Sequence, residues 1–537
     1  MSNSNSRKAV LPLPKAGIAG LKENWKADIV SGFMVFLLAL PLSLGIAKAS
    51  GFPAAMGVLT AMIGGICTSF FSVCDLSIKG PAAGLITVCS GAMLEFGGGE
   101  QGWKITCAAI MVMAIVQVVF ALLKVGSYSD FFPHSAVHGM LAAIGIIIIS
   151  KQIAVLLGVE PSLYKGESPI ELLMDIPVFI THAHQHIAIV GIIGTIILFT
   201  IPLGGKIVKR IPAPMVVLLI TIPLSIFWHF KQTEPEYSLV SIGDFWGNFG
   251  LHVDFSGISM FVFWKYVFMF LFINSLESLL TVKAVDQLDH TPRIANPNGD
   301  LLGVGFGNFL SGLFGGLPLI SEVVRSSANI GFGAKTKWSN FFHGIFLLLA
   351  MLLLIPAIEM IPNAALASML IFAGFRLAAP KEFIHTYHIG KEQFLVFIIT
   401  IVVTLAEDLL LGVFAGILVE LLFYLFNGVA IRNLFKIHYE TVTDSEKLVI
   451  RMSGAAIFTN LIGFKKVFHK LPEHQTVQFD VSQATVIDHS FMNFVRYFES
   501  EYNSRGGKFS IIGLENLQSF SHHELSGRKR KATTTSK

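Results

Sequence analysis

The chain has 537 residues, 53% of them apolar and only 14% charged, with a formal net charge of +4 and a mean hydropathy of +0.67. A charged fraction about half the usual one excludes a water-soluble globule, and so small and dispersed a net charge excludes nucleic acid as a partner. Of the charged residues, 25 fall in 429–537 and 49 in the first 428, so a lipid-embedded part precedes a water-exposed one.

Residues 1–26 form a polar segment carrying Arg7, Lys8, Lys15, Lys22 and Lys26. The apolar run after it has no small-residue cleavage site and reads as a first span, not a signal peptide. At about 20 residues per crossing, hydropathy predicts spans near 27–48, 54–72, 80–97, 104–124, 134–158, 184–203 and 213–230. A second set of seven follows near 261–282, 300–315, 321–333, 340–357, 364–380, 393–406 and 408–427. In both sets the third member is short and broken by Gly and Pro, which suggests inverted repeats. Fourteen crossings place both termini on one side. Alternate connections carry Lys206, Lys209, Arg210, Lys283, Arg293, Lys335, Lys337, Arg376, Lys381 and Lys391, which makes that side cytoplasmic. The opposite connections are acidic, with Glu160, Glu167, Glu171 and Asp175 after the fifth span and Glu234, Glu236, Asp244 and Asp254 after the seventh. Beyond Asn427 the pattern shortens to α/β periodicity, with strands at 447–453, 476–481 and 508–513 and helices near 459–470 and 490–504. Residues 521–537 read as a solvated basic tail, whose run Arg528, Lys529, Arg530, Lys531 is within reach of anionic lipid headgroups.

Chemistry is expected at the two interruptions. In the third span, Lys79-Gly80-Pro81-Ala82-Ala83-Gly84 loses a donor at Pro and leaves backbone uncovered at membrane depth. In the tenth, Gly315-Gly316-Leu317-Pro318 precedes Ser321, read as the N-cap of a short helix. Two half-helices starting opposite one another near the midplane would aim free N–H groups and dipoles at a small anion. Close helix packing is the alternative use of these small residues.

Ionisable groups inside spans are costly and therefore functional candidates. Glu277 shares a helix face with Asn274 and Thr281. Glu322, read in the first turn of the tenth helix, lies on the same side as Arg325. The pair is either a neutral bridge or a switch in which ionised Glu322 repels an anion and protonated Glu322 admits it. Two unit charges about 6 Å apart at an effective dielectric of about 20 interact by about 3 kcal/mol, or about two pKa units, which is enough for such coupling. Gly303-Val304-Gly305-Phe306-Gly307-Asn308 has the look of a phosphate loop without its preceding strand, and reads as a packing surface. His134, His138, His182, His184 and His186 read as interfacial, and Glu407, Asp408 and Glu420 receive no transport role. Cys67, Cys74, Cys89 and Cys107 lack metal-ligand spacing and read as buried thiols. No nucleophile–base–acid set stands out, so neither enzyme activity nor a cofactor is expected, beyond H+ or Na+ as coupling ion.

At Asp28-Ile29-Val30-Ser31-Gly32 through Ala39-Leu40-Pro41, at Gly80-Pro81-Ala82-Ala83, at Ser275-Leu276-Glu277-Ser278-Leu279-Leu280, at Gly305-Phe306-Gly307-Asn308 and at Arg325-Ser326-Ser327-Ala328-Asn329, the chain resembles the sulfate permease (SulP) family of anion transporters. The resemblance runs nearly end to end and rests on the order and spacing of these pieces. It implies an α-helical multi-pass membrane protein of 14 spans in 7+7 inverted repeats, plus a small cytoplasmic α/β STAS-like domain. The substrate is then expected between the third and tenth helices, at Gly80, Pro81, Ala82, Ala83, Gly84, Ser321, Glu322, Val323 and Arg325, with ion coupling at Glu277, Thr281 and Glu322. Ser321 and Glu322 stand where family members usually carry small or hydroxyl residues. The extra carboxylate favours protons over sodium and raises bicarbonate beside sulfate.

In the STAS-like tail, Asp480, Asp488 and Ser490 fall near a ligand or phosphorylation loop, but Phe491 replaces an expected glycine, which argues against phosphate control at Ser490. Only 23 residues follow Leu514, so the domain is read as truncated. The expected organisation is a cytoplasmic segment (1–26), a transmembrane anion transport domain (27–428), a truncated STAS-like domain (429–520) and a basic tail (521–537). The expected function is secondary active transport of sulfate or bicarbonate by alternating access in the cell's inner (plasma) membrane, as a homodimer surrounded by lipid, with a cytoplasmic protein partner at the STAS-like domain. The alternatives are a nucleobase or weak-acid symporter of the same architecture and a non-transporting anion sensor or scaffold.

Overall fold

The computed structural model describes residues 14–71, 73–124, 133–164, 167–204, 212–243, 245–247, 249–289, 291, 293, 295–407, 409–444, 447–472 and 474–531. Arg7, Lys8, Lys206, Lys209, Arg210, Asp244 and Asp408, named above, lie outside the described residues.

The first half of the membrane part runs α1 (Gly17–Ala49), α2 (Ala54–Ile66), β1 (Ile78–Pro81), α3 (Ile86–Glu95), α4 (Gly99–Leu122), α5 (His134–Leu157), the short α6 (Pro169–Met174) and α7 (Ile176–Thr181), α8 (Gln185–Thr200), α9 (Ala213–Phe227) and the single turn α10 (Phe230–Thr233). The second half runs α11 (Phe261–Leu288), α12 (Pro297–Leu313), β2 (Leu319–Glu322), α13 (Val323–Gly331), α14 (Trp338–Leu353), the single turn α15 (Ile355–Ile358), α16 (Asn363–Leu377), α17 (Pro380–Ile389), α18 (Lys391–Ala406) and α19 (Leu409–Phe426). All fourteen expected segments recur, twelve as helices and the third of each half as a strand leading into a short helix. Seven helical stretches among the described residues are long and apolar enough to cross a membrane. Phe261 and Phe426, on two of these stretches, are largely exposed, the surface expected of a body whose surroundings are lipid.

Two compact units divide the chain, 1–127 with 145–376, and 128–144 with 377–537. In the first, small residues set the helix spacing. A Cβ on Gly65 of α2 would lie 2.5 Å from the Gly344 Cα of α14, and one on Gly344 would lie 2.7 Å from the Ile66 nitrogen. A Cβ on Gly305 of α12 would meet Val118 of α4 at 2.9 Å, so the glycine run 303–307 is a packing surface.

The second unit holds the start of α5, the segments α17 to α19, and the C-terminal fold: β3 (His438–Asp444), β4 (Lys447–Ala456), α20 (Leu461–Phe468), β5 (Thr476–Ile487), α21 (His489–Ser504), β6 (Lys508–Ile512), β7 (Leu517–Ser519) and β8 (Arg528–Arg530). Its boundary differs from the expected break at 428, because Tyr424 of α19 shares one apolar cluster with Val429, Leu434, Ala455, Ile457, Phe458 and Val486. The sheet order is β3-β4-β5-β8-β7, with β6 parallel to the first half of β5. Strand β3, unforeseen from the sequence, pairs antiparallel with β4. The basic run is not a solvated tail over its first three residues: Arg528–Arg530 pairs with Val486 and Ile487, the end of β5 that β6 leaves uncovered. Phe491, standing where glycine was expected, stacks edge-on against Phe464 in the core. Ser490 is buried, its Oγ accepting the His134 N–H at 3.3 Å.

Substituting Gly344→Val places a branched side chain against backbone. We expect a loss of about 1–3 kcal/mol of stability, read as a lowered midpoint of thermal unfolding in detergent; an unchanged midpoint would mean that α2 and α14 do not cross at this pair.

Candidate functional site

The two interruptions meet. Strands β1 and β2 pair antiparallel, with Ile78 opposite Glu322, Lys79 opposite Ser321, Gly80 opposite Ile320 and Pro81 opposite Leu319. A two-stranded ribbon leaves backbone groups that helices would have satisfied internally, and an apolar medium supplies no water for them. Side chains of the surrounding helices take that role. Asn308 Oδ1 accepts the Leu319 N–H at 2.6 Å, and Asn274 donates to the Leu319 carbonyl at 2.8 Å. Gln117 donates to Asn274 Oδ1 and accepts from Asn308, which fixes both amides. On the other strand, Asn340 Oδ1 accepts from Lys79 N–H and Ser326 Oγ from Ile78 N–H. Ser278 Oγ accepts the Ser321 N–H, and Thr60 Oγ1 that of Leu317.

The antiparallel register separates the two helix starts. Helix α3 follows the Pro81 end of the ribbon and α13 the Glu322 end, so their tips flank a four-residue ribbon about 10 Å long. Gly80 and Pro81 lie in β1, and Ala82 leads into a 3-10 turn over Ala83–Leu85. Ser321 and Glu322 lie in β2, and Val323 is exposed at the start of α13.

Two expectations need correction here. Ser321 is not the N-cap: held in the strand, its hydroxyl donates to Asp300 Oδ2 at 2.6 Å. The cap is Glu322, which therefore precedes the helix and does not occupy its first turn; its Oε2 accepts the Arg325 N–H at 3.1 Å.

Arg325 spans what the register separates. Its side chain is fully buried and lies on Gly80, where a Cβ would come within 2.4 Å of Nη1. Its Nε stands 3.1 Å from Glu322 Oε2, too poorly aligned for a hydrogen bond, and among the described residues none of its three side-chain nitrogens has an acceptor. A buried guanidinium with unused donors is costly in protein alone. Across the ribbon, the Glu277 carboxylate of α11 lies on Gly84, where a Cβ would come within 1.9 Å of Oε1. Asn274 and Thr281 are buried beside it in α11, but Asn274 is spent on the ribbon. Remote pieces of the sequence pattern also meet: Ser31 donates to Asn329 Oδ1 at 2.7 Å, and Asp28 accepts from the N–H groups of Lys335 and Thr336, anchoring the far end of α13.

A buried ion pair escaped the sequence reading. Lys79 Nζ meets Asp300 Oδ1 of α12 at 2.7 Å with both side chains essentially inaccessible. The one available signal was an ionisable residue at each end of the pairing, Lys79 before Gly80-Pro81 and Asp300 at the head of a span. Also unforeseen is a cavity of about 310 Å³ whose lining includes Lys48 of α1, Lys151 and Gln152 of α5, Asn363 of α16 and Glu167. Lys151 donates to Ser90 of α3 at 2.9 Å, six residues, or about 9 Å of helix, beyond Gly84. Among the described residues neither lysine forms an ion pair.

The Sulfate permease family model matches residues 25–400. YvdB of Bacillus subtilis (strain 168) is 25% identical over 409 residues, 75% of this chain and 74% of its own. Bicarbonate transporter BicA of a Picosynechococcus species is 26% identical over 403 residues, 74% of this chain and 69% of its own. Among solved structures, the fold is that of murine Slc26a9, described as an anion transporter in the inward-facing state, with a TM-score of 0.65 and 14% identity over 90% of this chain and 85% of that one.

The Lys79–Asp300 pair gives a prediction that does not depend on substrate. Asp300→Asn leaves a buried ammonium uncompensated and is expected to cost about 3–5 kcal/mol, whereas the double variant Lys79→Met with Asp300→Leu recovers most of it. Thermal unfolding of the three proteins checks this; a double variant no better than the single would mean that the pair is not compensating itself.

Proposed function

The chain belongs to the sulfate permease family, and from that premise we propose that it carries a small inorganic oxyanion, sulfate or bicarbonate, by secondary active transport. The observation supporting the reading is Arg325: fully buried, laid on Gly80, with guanidinium donors that make no hydrogen bond among the described residues. An oxyanion bound over the ribbon would satisfy them with charge-assisted hydrogen bonds, aided by the partial positive charge at the start of α13. Glu322 makes that binding conditional. Its carboxylate already caps α13 and sits at the Arg325 Nε, so it competes with the anion for one positive field. Protonating Glu322 withdraws the competitor, and by the interaction of about 3 kcal/mol between charges about 6 Å apart, anion and proton bind together. Glu277, on the opposite side of the ribbon at Gly84, is the second proton carrier. The cavity with Lys48 and Lys151 is a basic approach to this site, raising the local concentration of anions. The basic residues Lys283, Arg293, Lys335 and Lys337 support the reading that both termini face the cytoplasm and that the carrier sits in the cell's inner membrane.

The deciding experiment is uptake into proteoliposomes of labelled sulfate and labelled bicarbonate, with pH and sodium gradients imposed separately and uracil as competitor. Flux of either anion driven by the pH gradient supports the proposal; flux of neither, or competition by uracil alone, sinks it. Arg325→Gln is expected to lower uptake by about 10–100-fold, the equivalent of the roughly 1.5–3 kcal/mol of a hydrogen bond to a charged group. Glu322→Gln should retain anion binding and lose the dependence on the pH gradient.

The cavity makes a separate prediction. Lys48→Gln with Lys151→Gln should raise KM about three- to tenfold at low ionic strength while leaving the maximal rate in place, and the effect should shrink in high salt. A lowered maximal rate at unchanged KM would place the lysines outside the approach path.

A further inference from the structure

Where α19 ends, Glu420, Tyr424 and Asp488 stand in line. Tyr424 Oη lies 2.7 Å from Glu420 Oε1 and 2.7 Å from Asp488 Oδ2, and all three side chains are buried. A phenol has one hydrogen to donate. It satisfies one of these contacts, and the other requires a proton on a carboxyl group that donates to the phenolic oxygen. The surroundings decide which. Asp488 is the N-cap of α21: Oδ1 accepts the Phe491 N–H at 2.6 Å, and Oδ2 accepts the Phe458 N–H at 2.6 Å. These donors favour its ionised form. Besides Tyr424, Glu420 has among the described residues a long contact from the Gln393 amide, 3.3 Å, and its Oε2 is buried without a partner there. The extra proton therefore resides on Glu420, which donates to Tyr424, which donates to Asp488.

We propose that this line is a proton-dependent latch that fastens the β5–α21 turn to the cytoplasm-facing end of α19 when Glu420 is protonated and loosens when it ionises. Loss of the proton leaves two carboxylates sharing one phenolic hydrogen inside an apolar seal formed by Val429, Leu434, Ala455, Ile457, Phe458 and Val486. Like charges so placed repel strongly, and the relief is to separate the turn from the helix. The latched form binds one more proton than the open one, so latching is strong at low pH and is lost as pH rises through the Glu420 titration.

The other charged and titratable groups around the line do not reproduce that sign. On α18, Glu392 adds negative charge near Glu420 and deepens the repulsion. At the start of α5, His134 packs against His489 of α21 with ring centres 5.9 Å apart, and burial lowers the His489 imidazole to about 4. Protonating a histidine held neutral by burial would loosen the junction on acidification, the opposite direction. Lys529 of β8 reaches Asn427 at 3.5 Å.

The test is amide hydrogen exchange on the full chain in lipid nanodiscs, corrected for the intrinsic pH dependence, together with infrared detection of a protonated carboxyl. We expect protection of residues 489–495 and 424–434 to fall with rising pH by up to about tenfold per unit, the limit for one released proton. Glu420→Gln should flatten the profile and remove the protonated-carboxyl band at neutral pH. Asp488→Asn, which can still cap α21, should flatten it as well and serves if the first variant folds poorly. Absence of the band from the wild-type protein, protection that rises with pH, or a Glu420→Gln profile as steep as wild type would overturn the latch. Because the readout is docking, a failure of transport assays leaves this result standing, and the reverse.

Discussion

Everything in the membrane core follows from one constraint: a backbone that leaves helical geometry in an apolar medium must be given hydrogen-bond partners by the protein. The ribbon of β1 and β2 is such a departure, and five helices answer it, with Asn274, Ser278, Asn308, Ser326 and Asn340 on the strands and Thr60 at Leu317 just ahead of β2. The amides are themselves locked, since Gln117 joins Asn274 and Asn308. Polar residues scattered through otherwise apolar helices are the supports of the ribbon, and their rigidity is what gives Arg325 a defined place above Gly80.

Charge in the same core is treated in two ways. Lys79 and Asp300 form a compensated pair at 2.7 Å, with Ser321 giving the carboxylate a further donor. Such a set is electrically quiet and holds β1, β2 and α12 together. Arg325 and Glu322 are also adjacent, but the carboxylate is taken up by backbone at the head of α13 and the guanidinium keeps its donors. A buried cation left partly unsatisfied is costly in a low-dielectric interior. The blander reading of the same two residues, a bridge at the helix start, is met as far as the 3.1 Å approach of Nε to Glu322 Oε2; it leaves the hydrogen bonds of the guanidinium unused among the described residues.

The sequence made the spans legible because hydropathy is a property of composition, which survives without knowledge of neighbours. The positions of Glu277 and Arg325 against the two interruptions could be sought for a related reason: ionisable groups in apolar runs are rare enough to be conspicuous. What depended on tertiary register was not legible. Ser321 is intrinsically a better N-cap than a glutamate, yet the ribbon draws it into β2 and Asp300 takes its hydroxyl, leaving the cap to Glu322. Lys79 and Asp300 are separated by 221 positions, and no local pattern links them. The basic run 528–530 looked solvated because its composition is that of a tail; it is a strand because β6 covers only Thr476–Asp480 of β5 and leaves the end of that strand open.

The antiparallel register also explains why the bridging residue is an arginine. Two strands related by an inverted repeat must carry their following helices away from opposite ends of the ribbon, so neither helix start alone reaches its middle. Partial charges at a helix terminus fall off within a turn, too short a range to span about 10 Å. A side chain rooted on α13 and long enough to lie back over Gly80 moves a full positive charge to that middle position. Lysine could carry the charge but presents a strongly hydrated point, whereas a guanidinium is a planar fork of donors. The absence of a Cβ at Gly80 is the matching requirement on the opposite strand: it provides the space into which Arg325 lies, and any side chain there would displace the charge from the ribbon.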